Sequence, residues 1–214
     1  MLVILADGWS QDPHDRSIGL GPIADRVQSE LLTAACFLVS CSTDIAALVQ
    51  SYAGIKEPIV IVGYSYGGSK AIDACWKLAA MGIQVDQLIT LDPVPRWWRG
   101  QLQNVPIFGS QSFGIPDNVH AASNLFKAQG VLHGLPIRIE PGRLTIAGTF
   151  GNECLDGLFS SHADLPDNTY VQTRIFNLIE NVGLTTERTE SKEATANTSA
   201  NSVVNNGGSD GGSA

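Results

Sequence analysis

The chain has 214 residues, 43% of them hydrophobic and 16% charged, enough apolar content for one ordinary globular core. Its net charge of −8 and pI of about 4.8 repel phosphate backbones and anionic head groups, so binding to nucleic acid is not expected. No run of about 18 apolar residues is present to span a bilayer, and MLVILADGW reads as an opening strand with no signal peptide before it.

LVILA (2–6) is a short apolar run stopped by Asp7-Gly8, which predicts a buried strand. In residues 20–32, Ile23, Val27 and Leu31 recur at helical spacing. ACFLVSC (35–41) reads as a second buried strand. Ser42-Thr43-Asp44 offers N-cap side chains to a helix over IAALVQSYAG, closed by Gly54. PIVIV (58–62) is a third strand, residues 67–81 form a helix with Gly82 as its stop, and VDQLITL (85–91) is a fourth strand. Strands that alternate with helices and are apolar on both faces predict a mostly parallel sheet with helices on both faces.

Residues 93–117 are dense in proline and glycine, which predicts a long loop or minimal cap. NVHAASNLFKA (118–128) fits strand or helix, and its periodicity does not choose. RLTIAGT (143–149) is expected to be the last strand, and TYVQTRIFNLIENVG (169–183) a final helix with Val171, Ile175 and Leu178 on one face. From residue 185 the composition turns to Thr, Ser, Asn, Gly and Glu, which cannot bury enough apolar surface to offset ordering. The expected division is a catalytic domain over 1–184 and a disordered tail over 185–214. Cys36, Cys41, Cys75 and Cys154 lack C-x-x-C spacing and are expected to be reduced, mostly buried thiols of a cytoplasmic protein.

The stretch IVIVGYSYGGSK (59–70) fits two devices. A phosphate-cradling loop, G-x-x-x-x-G-K-[ST], is met at Gly63 and Gly68, but Ser69-Lys70 reverses the required order. That exchange turns each side chain by roughly 100° around the helix. A nucleophile elbow, G-x-S-x-G, is met at every position of Gly63-Tyr64-Ser65-Tyr66-Gly67, between a strand and a helix. Small residues two before and two after Ser65 let the chain turn sharply there.

A serine hydroxyl needs a base, and the base needs an acid to hold it. Asp92 ends the strand that follows the elbow helix, at the edge where parallel sheets bind ligands. Of His14, His120, His133 and His162, only His162 lies after the last predicted strand and before the final helix. The expected catalytic set is Ser65, His162 and Asp92. An oxyanion would be met by the main-chain N–H of Tyr66 and of Trp9, in the loop after the first strand. The histidines show neither H-x-H nor H-E-x-x-H spacing, so no metal and no cofactor are expected.

ADGW with the S-x-G-L of Ser17 to Leu20, VGYSYGG, TLDPVP and SHADL together resemble the α/β-hydrolase superfamily over residues 1–183. The nearest likeness is to compact bacterial and phage-type members; pancreatic-type lipases also place their acid in an L-D-P segment. The resemblance implies an α/β-hydrolase fold, Asp92 as the acid, and a serine esterase or lipase-like hydrolase that works through an acyl-enzyme on a small-molecule acyl ester. An acyl-thioesterase and a non-catalytic binding protein on the same scaffold are the alternatives. Where such proteins carry His-Gly before the oxyanion loop, this chain has Asp7-Gly8. Tyr64, Trp97 and Trp98 are candidate substrate contacts, with Tyr66 part of the pocket wall.

Residues 185–214 contain no aromatic side chain and no histidine. Removing them is expected to leave kcat/KM on a small soluble ester and the thermal midpoint nearly unchanged. A large fall in either quantity after truncation contradicts that expectation.

Overall fold

The computed structural model describes residues 1–9, 11–52, 57–94, 113–129, 134–139, 150–158 and 161–184. Its first half alternates strand and helix: β1 (Leu2–Ala6), α1 (Gly21–Glu30), β2 (Ala35–Val39), α2 (Ile45–Ser51), β3 (Ile59–Tyr64), α3 (Tyr66–Ala80) and β4 (Val85–Leu91). The second half adds β5 (Phe113–Ile115), β6 (Val119–Phe126), β7 (Ile137–Ile139) and β8 (Phe150–Cys154). A last helix, α4, covers residues 169–184. Residues 143–149, expected as the last strand, lie outside the described residues, as do Trp97, Trp98, His133 and the tail.

Six strands form one sheet in the order β2-β1-β3-β4-β6-β8, and every neighbouring pair is parallel. This is an α/β fold. Alternate residues of each strand serve two separate cores. Leu2, Ile4 and Ile61 face one side, with Ile45 and Val49 of α2 and Ile72, Cys75 and Leu78 of α3. Val3, Leu5, Val60 and Val62 face the other, with Ile23 and Val27 of α1 and Val171, Ile175 and Ile179 of α4. Helices therefore cover both faces, as the apolar strands require. β5 and β7 form a separate parallel pair on the α3 side, where the Trp76 indole N–H donates to Gly114 O at 3.0 Å.

Three expectations change. β2 is only half-buried, and among the described residues it is an edge strand of the sheet. Residues 118–128, ambiguous in the sequence, are a strand: β6 pairs with β4 on one side and β8 on the other. The cysteines are free, but only Cys75 is buried; Cys36 and Cys41 are half-buried and Cys154 is exposed. Burial among apolar side chains pushes the Cys75 thiol up to about 12, which keeps it an inert core group.

The β4-β6-β8 half of the sheet carries an internal polar chain. Thr90 Oγ1 donates to Asn124 Oδ1 at 2.7 Å, and Asn124 Nδ2 donates to Asn152 Oδ1 at 2.9 Å and to Leu135 O at 3.1 Å. Asn152 in turn pairs with both main-chain groups of Ile137 at 2.9 Å. These bonds tie β4, β6 and β8 together and hold the 134–139 segment against the sheet. Replacing Asn124 by Ala strands the Thr90 hydroxyl and the Leu135 carbonyl. Urea unfolding is expected to show a loss of about 2–4 kcal/mol, since an unsatisfied buried group costs more than its bond contributes. A loss within experimental error contradicts this role for the network.

Candidate active site

Strand order reverses between β1 and β3, since β2 lies beyond β1 while β4 and its successors lie beyond β3. In open parallel sheets the carboxyl ends of the strands at such a reversal form a natural crevice. Here those ends are Ala6, leading into Asp7-Gly8-Trp9, and Tyr64, leading into Ser65. Ser65 caps α3 with φ 54° and ψ −122°, a backbone region that side chains rarely occupy. The turn is tight enough that a Cβ on Gly63 would lie 2.7 Å from Gly68 Cα. Three main-chain bonds over-determine it. Ser65 N–H donates to Leu91 O at 2.9 Å, and Ser65 O accepts from Gly68 N–H at 3.0 Å and from Val94 N–H at 3.1 Å.

The same bonds clamp the turn after β4, which carries Asp92. Asp92 is the other described non-glycine residue with positive φ, at 48°, and it is completely buried, at 0% exposure. Its Oδ1 accepts the main-chain N–H groups of Lys127 and Gly134, both at 2.7 Å. Its Oδ2 meets His162 Nδ1. With Asp92 accepting throughout, Nδ1 carries the imidazole proton, and Nε2 is left to accept from Ser65 Oγ at 2.8 Å. Ser65 is 8% exposed and the His162 side chain 11%. The three groups thus form one hydrogen-bonded line from a nearly buried hydroxyl to a buried carboxylate.

His162 stands on a self-bonded turn between β8 and α4. Ser161 Oγ donates to Asp164 Oδ2 at 2.6 Å, a 3-10 turn follows at Leu165–Asp167, and the buried Leu165 anchors the segment in the core. Such a line can move a proton from the hydroxyl to the imidazole while the carboxylate supports the developing charge.

Tyr66 follows Ser65 directly, and Trp9 lies against Tyr66. Tyr66 opens α3, where the N–H groups of a helix have no carbonyl of their own to meet. Trp9 is 45% exposed, and its ring meets Tyr66 edge-on with centroids 6.0 Å apart. The Tyr64 ring is buried beside the imidazole and its hydroxyl donates to His162 O at 2.8 Å. Ser69, the serine of the phosphate-loop alternative, is buried and donates its hydroxyl to Val94 O, so that hydroxyl does not face a metal. Among the described residues no cluster of three or more His, Cys, Asp or Glu side chains is placed to hold a metal ion, and no helix is long and apolar enough to cross a membrane.

The N–H donors to Asp92 went unnoticed in the sequence because they are main-chain groups, which nearly every residue has. Asp7 was seen only as an unusual residue. It is 1% exposed, its Oδ1 accepts Leu20 N–H at 2.9 Å, and its Oδ2 has no hydrogen-bond partner among the described residues. It therefore fastens the far end of the 8–20 loop to β1. No protein-family model matches the chain, and no curated protein matches it.

Burial, opposed by the Leu20 N–H and reinforced by Asp167, pushes the Asp7 carboxyl up from 3.8 to about 6. A raised carboxyl favours folding while it is protonated in both states; that contribution is lost as pH rises from 3.8 through about 6. The loss is on the order of 3 kcal/mol. Asp7→Asn keeps the acceptor for Leu20 and cannot ionise. Urea unfolding of the variant and the natural chain is expected to shift in the variant's favour by that order between about pH 4 and about pH 7. A difference that stays constant with pH contradicts the assignment.

Proposed function

We propose that this protein is a serine hydrolase of the α/β-hydrolase type that cleaves carboxylic esters through an acyl-enzyme. The observation that carries the reading is the hydrogen-bonded line Ser65–His162–Asp92, its serine in a left-handed turn at the carboxyl edge of a parallel sheet. A structural serine gains nothing from such strain, whereas a nucleophile gains exposure of its hydroxyl to a reacting carbonyl.

In this mechanism Ser65 Oγ attacks the ester carbonyl carbon as its proton passes to His162 Nε2. Asp92, held by two main-chain N–H groups, keeps the imidazole oriented and stabilises its positive charge. The tetrahedral oxyanion is met by the Tyr66 N–H, at the positive end of the α3 dipole, and by the Trp9 N–H. Collapse expels the alcohol, which takes the proton from His162. Water then attacks the Ser65 ester, again giving its proton to His162, and a second collapse releases the acid and restores the hydroxyl. The chemistry supplied by the residues is complete without an added group. The acyl pocket would lie on the Trp9 and Tyr66 side.

A chain-length series of p-nitrophenyl esters, run beside an acyl-thioester, tests the reading. The natural chain is expected to hydrolyse at least the short esters. Ser65→Ala and His162→Ala are each expected to lower kcat by on the order of 10³ or more with the fold intact, because the members of such a set act as a unit. Turnover that survives Ser65→Ala defeats the proposal, and preference for the thioester moves the substrate class. A folded chain without turnover on any of them leaves the non-catalytic binding protein as the better account.

A further inference from the structure

Tyr64 is the last residue of β3, directly before Ser65. Its ring is 4% exposed, and it joins three parts of the site. The hydroxyl donates to His162 O at 2.8 Å. The ring lies beside the imidazole, with centroids 5.4 Å apart and planes inclined by 30°. A Cβ on Gly8 would come within 3.1 Å of the ring and 3.2 Å of Ser65 Cβ.

We propose that Tyr64 is a positioning residue for His162: its hydroxyl holds the main chain that carries the imidazole and its ring backs the imidazole face, keeping Nε2 on the Ser65 hydroxyl. This rests on the ester-hydrolase reading above. The physical case begins with what else fixes His162. Asp92 holds only the ring, at Nδ1. Among the described residues the His162 carbonyl accepts the Leu165 N–H at a long 3.4 Å, beyond the usual range for such bonds, and the Tyr64 hydroxyl at 2.8 Å. The shorter bond governs, and it originates one residue from the nucleophile. Tyr64 thus couples the Ser65 turn to the His162 main chain, beside the link that Asp92 makes to its ring.

Tyr64 also keeps the donor role at every working pH. Burial first, and then the charges of Asp92, Asp167, Asp7 and Asp164, push its hydroxyl well above the ordinary tyrosine range, so it stays protonated. Gly8 fits the same account. With no side chain there, the main chain at Gly8 packs closely against the Tyr64 ring and Ser65.

Tyr64→Phe removes the hydroxyl and keeps the ring, so the core packing survives. It is expected to lower kcat about tenfold with KM changed less than about twofold, since small misplacements of a base cost rate far more than binding. Its thermal midpoint is expected to fall by only about 2–4 °C, the effect of one hydrogen bond. Amide hydrogen exchange over residues 161–165 is expected to quicken, while β3 keeps its protection. Tyr64→Leu, which also removes the ring, is expected to lower kcat further. Tyr64→Phe with the natural kcat and unchanged exchange overturns the proposal. So does a rise in KM at constant kcat, which would return Tyr64 to the substrate pocket. If the natural chain hydrolyses no ester, the function proposed above fails, and exchange still decides here: quickened exchange at 161–165 supports Tyr64 as the holder of His162, and unchanged exchange defeats it.

Discussion

The left-handed turn at Ser65 is the constraint on which the site depends. A backbone at φ 54° is held only where its surroundings leave no alternative. Here β3 fixes the entry, α3 fixes the exit, and Leu91, Val94 and Gly68 take up the main-chain groups between. The glycines around it meet a packing demand, because backbone from the helix lies where a Gly63 side chain would go. The turn also sets direction. It aims the hydroxyl over the sheet's carboxyl edge, toward the turn that bears His162.

Asp92 extends that order across the sheet. Because Ser65 bonds to residues on both sides of it, the two strained turns form one unit. The carboxylate then draws in distant parts of the chain: Lys127 beyond β6, Gly134 before β7, and His162 before α4. The polar chain through Thr90, Asn124 and Asn152 seats the segment next to Gly134, so that donor to the carboxylate rests on the sheet itself. A buried carboxylate needs such support, since its charge has left water behind. Asp7 is the contrast. It is as buried as Asp92, yet one oxygen goes without a partner among the described residues, and it responds by holding its proton to about pH 6.

Much of this could be read in the sequence, and the reasons differ by element. The strands of the first half are dense apolar runs with clear stops, because a parallel strand buried on both faces has no room for polar residues. β6 was ambiguous for a physical reason: it carries Ser123 and Asn124 within the sheet, and the polar chain it supports breaks the apolar run. β8 reads Phe-Gly-Asn-Glu-Cys and has almost no strand signal; neighbouring β6 supplies its order through pairing. Ser65, Asp92 and His162 stood out because their residue types and chain order are specific. Tyr64 was visible as a residue, but its direction was not. Only the fold shows that a side chain at the end of β3 points under the imidazole. Nothing in the sequence could announce Gly134 and Lys127, whose contribution is a main-chain N–H.

In the proposed mechanism His162 and Asp92 make the Ser65 hydroxyl a nucleophile. Covalent labelling by a fluorophosphonate, followed by peptide mass spectrometry, measures that property without assuming a substrate. The account predicts stoichiometric modification confined to Ser65, abolished in Ser65→Ala and strongly slowed in His162→Ala. An intact, folded chain that stays unlabelled, or one labelled at another residue, would contradict it.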